Sequence, residues 1–86
     1  MDINELIAIV KKKLQSEIDI ENIVIEDKSF LHKDHSGNQK GKFHLKINLK
    51  SDELKNISRI EGNKKIYKAL DKEIKEYIHS IQILIT

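Results

Sequence analysis

Residues 43–50 alternate apolar and polar without a break: Phe43, Leu45, Ile47 and Leu49 are separated by His44, Lys46, Asn48 and Lys50. Successive side chains of a strand point to opposite faces, so this segment is a strand with one dry face and one wet face. A dry face has to be covered, and the rest of the chain must supply the cover.

The flanking segments carry the required patterns. Ile3, Leu6, Ile7, Val10 and Leu14 recur at three- and four-residue steps, which predicts a first helix capped by Asp2. Lys11, Lys12 and Lys13 fall in its later turns, where cations complement the helix dipole, and form a solvated face rather than a basic patch. Ile23-Val24-Ile25, within residues 21–27, predicts a further strand. After the alternating strand, Ser51-Asp52-Glu53 opens a helix with Leu54 and Ile57 as its apolar residues, and Gly62-Asn63 is its predicted stop. A second helix shows one apolar face of Ile66, Ala69, Leu70, Ile74, Tyr77 and Ile78. Ile81, Ile83 and Ile85 predict a terminal strand.

The order is αββααβ, an α+β class, in one domain spanning residues 1–86. A chain this short buries a modest share of its surface, so the core is expected to be thin. The first two strands follow one another and should pair antiparallel. The last is separated by two helices, enough for a right-handed crossover to a parallel position. The expected architecture is a three-stranded mixed sheet with helices packed on one face. If the last strand lies parallel to the second, their starting ends share one sheet edge, and residues 28–41 feed that edge. This polar, glycine-containing stretch is long for a hairpin connection, and loops of that length are often functional. All four histidines then fall in one region: His32 and His35 in the loop, His44 early in the second strand and His79 before the third.

Singly, each histidine has an ordinary reading. His44 is in the outward phase of its strand and reads as a solvated surface residue. His32 and His35 form an H-x-x-H in a polar loop, a pattern common by chance. His79 is at a helix-to-strand junction, where an imidazole can bond free helix carbonyls. Their convergence is what suggests a ligand set.

Composition narrows the chemistry. The chain has no cysteine, which excludes a disulfide, a thiol nucleophile and any thiolate-ligated site built by this sequence alone. No apolar run approaches the roughly 20 residues of a membrane span. Met1-Asp2-Ile3-Asn4-Glu5 is acidic where a signal peptide begins basic, so a cytoplasmic location is expected. A net charge of +2, with acids and bases interleaved, does not by itself imply nucleic acid. No nucleophile is paired with an oriented base, and Ser29 and Ser51 read as turn or cap residues, so an enzyme is not expected.

Five segments together resemble the BolA family. Val24-Ile25-Glu26-Asp27-Lys28-Ser29-Phe30-Leu31-His32-Lys33-Asp34-His35 is similar to its V-x-D-x-S-x-x-H segment, with the common second histidine. Lys42-Phe43-His44-Leu45-Lys46-Ile47 resembles its T-H-F-x-V strand. Leu49-Lys50-Ser51-Asp52-Glu53-Leu54 resembles the passage into the short helix. Tyr67-Lys68-Ala69-Leu70-Asp71-Lys72-Glu73-Ile74 resembles the helix ending in L-x-x-E-L, and Ile78-His79-Ser80-Ile81 resembles V-H-A-L. Four positions depart from the pattern: Gly62-Asn63 replaces an Arg-His pair, Asn56 replaces a glycine, and Ser80 replaces an alanine. The resemblance implies a fold like the class II KH domain and a non-enzymatic protein, monomeric alone, that pairs with a CGFS-type monothiol glutaredoxin. It further implies a 2Fe–2S cluster shared between the glutaredoxin cysteine, a glutathione thiolate and this chain. His79 and a loop histidine, His32 or else His35, are the implied ligands. Imidazole can replace thiolate on one iron of such a cluster. It must be unprotonated to do so, and its ordinary pKa is roughly 6.5, so cluster loss should quicken as pH falls.

Two other functions compete. A KH-like module binds single strands through a G-x-x-G turn, and Gly62-Asn63-Lys64-Lys65 supplies one glycine with two lysines, making Lys64 and Lys65 candidates for contacts in a DNA-binding transcriptional regulator. Asp52, Glu53 and Glu61 lie near that turn and oppose it. A zinc site made of histidines is the other competitor, since imidazole suits zinc.

Overall fold

The computed structural model describes residues 2–28 and 43–86. Along the chain run α1 (Ile3–Glu17), β1 (Asn22–Asp27), β2 (Phe43–Lys50), α2 (Asp52–Lys55), α3 (Arg59–Ala69), α4 (Asp71–Glu76) and β3 (Ile78–Ile85). The strands form one mixed sheet in the order β1-β2-β3. β1 pairs antiparallel with β2, placing Ile23 opposite Leu49 and Ile25 opposite Ile47. β3 pairs parallel with β2, placing Leu45 beside Ile81 and Ile47 beside Ile83. The parallel crossover inferred from two intervening helices is the one observed.

The period-two and period-3.6 patterns meet in the core. Leu45, Ile47 and Leu49 of β2 are buried on one sheet face, against Leu6, Val10 and Leu14 of α1. Ile18, Ile23 of β1, Leu54 of α2, Ile66 of α3, Leu70 and Ile78 complete the same cluster. Asp2 caps α1, accepting from the Glu5 backbone N–H at 2.8 Å. Ser51 caps α2 in the same way, through the Leu54 N–H at 3.2 Å, while its own hydroxyl donates to the Asp19 carbonyl at 2.8 Å. That pair of bonds fixes the end of β2 against the turn after α1.

The helix boundaries after β2 correct the sequence expectation. Gly62-Asn63 does not end a helix; both residues lie inside α3. The break comes earlier, at Asn56–Ile57, and Ser58 restarts the helix by accepting from the Glu61 N–H at 3.1 Å. Ser58-Arg59-Ile60-Glu61 is a Ser-x-x-Glu start signal that outweighs one interior glycine, which costs only about 1 kcal/mol. The long helix also divides, at Leu70, whose backbone leaves the helical region (φ −104°, ψ 17°) before α4 begins. α4 then places Glu73 in the interior, where its Oε2 accepts from Lys13 Nζ of α1 at 2.7 Å.

Candidate functional site

The starting ends of β2 and β3 share one corner of the sheet, and the ladder is irregular there. Phe43 pairs with Ile78 and His44 pairs with Ser80, so His79 is the extra residue of a bulge. A bulged residue has no cross-strand partner, and its side chain is re-aimed relative to the ordinary alternation. The Phe43 N–H still donates to the Tyr77 carbonyl at 2.9 Å, which locks the strand start immediately before His79. His79 is exposed, and its ring centroid lies 4.9 Å from that of His44, the planes tilted by 53°.

His44 is not the solvated residue its strand phase suggested. Only 4% of it is exposed, and its Nδ1 shares a 2.6 Å hydrogen bond with the Ser80 hydroxyl across the β2–β3 pair. Alternation reports which face a residue points to, and not how much of that face a neighbouring strand covers. The signal that could have identified His44 was the parallel register itself, which puts it beside Ser80 and next to His79.

A recess of about 380 Å³ opens at this corner, lined by Lys28, His44, Leu45, Lys46, Ser80, Ile81 and Gln82. Lys28 and Lys46 flank the His44 imidazole there, and Lys28 also pairs with Glu26 at 3.6 Å. The donor set fits part of a metal or cluster site: imidazoles are present and thiolates are not. Among the described residues no group of three or more His, Cys, Asp or Glu side chains is placed to hold a metal ion. His32 and His35, the loop histidines expected to join this corner, lie outside the described residues.

Lys64 and Lys65 are not in a turn; they occupy the middle of α3, so no G-x-x-G-like loop exists at Gly62. Lys65 is also engaged, donating to Glu53 Oε2 at 2.6 Å. That bond, with a weaker one from the Asp19 N–H at 3.4 Å, holds the Glu53 carboxyl below the ordinary carboxylate range. Lys55, Arg59, Lys64 and Lys68, by contrast, make no ion pair among the described residues. None of the described helices is long and apolar enough to cross a membrane.

The chain is similar to the DNA-binding transcriptional regulator BolA of Haemophilus influenzae, 29% identical over 75 residues, covering 87% of this chain and 70% of that protein. It is 28% identical over 80 residues to SufE-like protein 1, chloroplastic/mitochondrial, of Arabidopsis thaliana, of which it spans only 22%. Among solved structures, the BolA domain of SufE1 from Arabidopsis thaliana superposes with a TM-score of 0.74 at 26% identity, covering 90% of this chain and 85% of that one. BolA1 from the same plant gives 0.78 at 21% identity, over 93% and 88%, a likeness of fold. The family model for BolA-like proteins matches residues 14–86, and the chain belongs to the BolA family.

Proposed function

We propose that this BolA-like protein is a non-enzymatic partner of a monothiol CGFS glutaredoxin and lends imidazole ligands to a 2Fe–2S cluster shared with it. The observation that carries this reading is the bulge at His79, which leaves one exposed imidazole on a rigid strand beside a second, anchored one. His79 serves as the fixed ligand. A loop histidine, His32 or His35, serves as the second. The absence of cysteine assigns the thiolate half of the site to the glutaredoxin and a glutathione it holds. Lys46, at the recess, suits the negative charge of such an assembly.

The test is reconstitution with a CGFS glutaredoxin and glutathione, followed by visible absorption and circular dichroism. His79→Ala should change the cluster spectrum or shorten its lifetime, and His32→Ala should do so more mildly. Identical spectra and lifetimes in the double variant would falsify the ligand assignment.

A second reading, DNA binding by a transcriptional regulator, is favoured by the name of the Haemophilus relative and by Lys55, Arg59, Lys64 and Lys68 of α2 and α3, which make no ion pair among the described residues. It predicts affinity for DNA that falls steeply with salt, in proportion to the phosphates neutralised. No binding at low ionic strength removes it.

A further inference from the structure

We propose that the outer edge of β3 is a docking site at which an extended, acidic segment of a partner polypeptide joins the sheet as a fourth strand. β3 is an edge strand, since the sheet order ends on it. Its bonding phase is set at Thr86, whose N–H donates to the Leu49 carbonyl at 2.9 Å and whose carbonyl accepts from the Ser51 N–H at 3.2 Å. In a parallel ladder alternate residues bond each neighbour, so Ser80, Gln82 and Leu84 bond β2 while Ile81, Ile83 and Ile85 turn their N–H and C=O groups outward. Among the described residues these outward groups have no hydrogen-bond partner.

Edge strands that must stay single usually carry lysine, proline or inward charges. Residues 78–86 contain no proline and no Asp, Glu, Lys or Arg. The side chains of Ile81, Ile83 and Ile85, on the helix side, are only partly buried. A groove of about 340 Å³ runs along the same edge, lined by Leu54, Ile57, Ile83, Leu84 and Ile85 among others. Ile83, Leu84 and Ile85 are consecutive and point to alternate faces, so a groove touching all three follows the strand's backbone edge. Leu84 is 43% and Ile57 39% exposed there.

The occupant follows from the edge chemistry and the rim. Alternating N–H and C=O groups match another polypeptide backbone, whereas a nucleic-acid strand offers no such ladder. Lys55 and Arg59 line the groove without an ion pair among the described residues, which selects acidic side chains. A second copy of this chain would bring its own Lys55 and Arg59 to the same rim, placing like charges together. The groove at Ile83–Ile85 lies several residues along the strand from His79, Ile81 being the one edge residue that also lines the recess beside His44, and the proposal rests on no part of the cluster reading.

The experiment is amide NMR of the full chain titrated with a blocked peptide of about six residues, a usual strand length, alternating valine and glutamate. Shifts and slowed exchange at Ile81, Ile83 and Ile85 are expected. Methylating alternate peptide nitrogens should abolish them, and Lys55→Glu with Arg59→Glu should weaken binding by about fivefold or more at low salt. His79→Ala should bind the peptide as the wild type does. The proposal is overturned if the β3 amides do not respond, if N-methylation makes no difference, or if they respond to protein concentration alone. It is equally overturned if oligothymidine moves the same amides as strongly.

Discussion

The Ser80 hydroxyl meets His44 Nδ1 at 2.6 Å and has no other hydrogen-bond partner among the described residues. Ser80→Ala removes that partner from an imidazole that is nearly buried, for an expected loss of about 1–2 kcal/mol in denaturant unfolding. Ser80→Thr, which keeps the hydroxyl, should recover most of it. Unchanged stability in Ser80→Ala would mean the bond contributes nothing beyond what water supplies. His79 is different because it is exposed, and His79→Ala should stay within about 0.5 kcal/mol of the wild type. Ligation can therefore be tested there without disturbing the fold. Glu53 supplies a pH test. Its folded pKa is depressed by the Lys65 hydrogen bond, so the stability it contributes is present above its unfolded pKa and is lost as pH falls through the folded value. The stability difference between wild type and Glu53→Gln should accordingly shrink in acid, and a difference that grew on acidification would reverse the assigned sign.

At the scale of elements, α3 approaches β3 closely enough that a Cβ at Gly62 would sit 3.4 Å from Ile85 Cδ1 and 3.8 Å from Leu54 Cδ2, ordinary contact distances. Gly62→Ala should therefore stabilise the protein by about 0.5–1 kcal/mol, the interior-helix cost of glycine. A loss measured by thermal unfolding would show that the helix needs a closer approach than this. The tie between α1 and α4 is more demanding. Glu73 is 3% exposed, and its Oε1 has no hydrogen-bond partner among the described residues. Lys13→Ala would leave a buried carboxylate uncompensated, costing up to about 3–5 kcal/mol, less to the extent that half-exposed Lys13 admits water. Adding Glu73→Met should return most of the loss, and a double variant no better than Lys13→Ala would show that packing, not charge, joins the two helices. These elements were unevenly legible. β2 and α1 announce themselves because each buries one face over several repeats. α2 spans a single turn, too short for periodicity, and an apolar count cannot separate Gly62 inside a helix from Gly62 after one. Ser58 with Glu61 was the readable correction.

For the whole molecule, topology carried more functional information than any motif. Two antiparallel neighbours and one crossover suffice to put the starts of β2 and β3 together, which is why His44 and His79 could be expected at one corner. The bulge that singles out His79 could not be read, because strand register is a property of the paired backbone and has no local sequence period. The same topology separates the fold from any metal. Leu6, Leu14, Ile47, Leu49, Ile66 and Leu70 close a core that draws on α1, β2, α3 and the α3–α4 junction. Of the two described histidines at the sheet's end, His44 is buried and His79 is exposed. Small domains folded by a structural zinc lose their fold with the metal, since binding and folding free energies are then one quantity. Here the core is built of apolar side chains packed between helices and sheet, so a chelator should shift the melting temperature of the isolated protein by no more than about 2 °C. For a domain of this size each 1 kcal/mol corresponds to roughly 4–8 °C, and a structural metal contributes several. A fall of about 15 °C or more on adding EDTA would move the protein from ligand donor to metal-stabilised fold and would favour a histidine zinc site over a shared cluster.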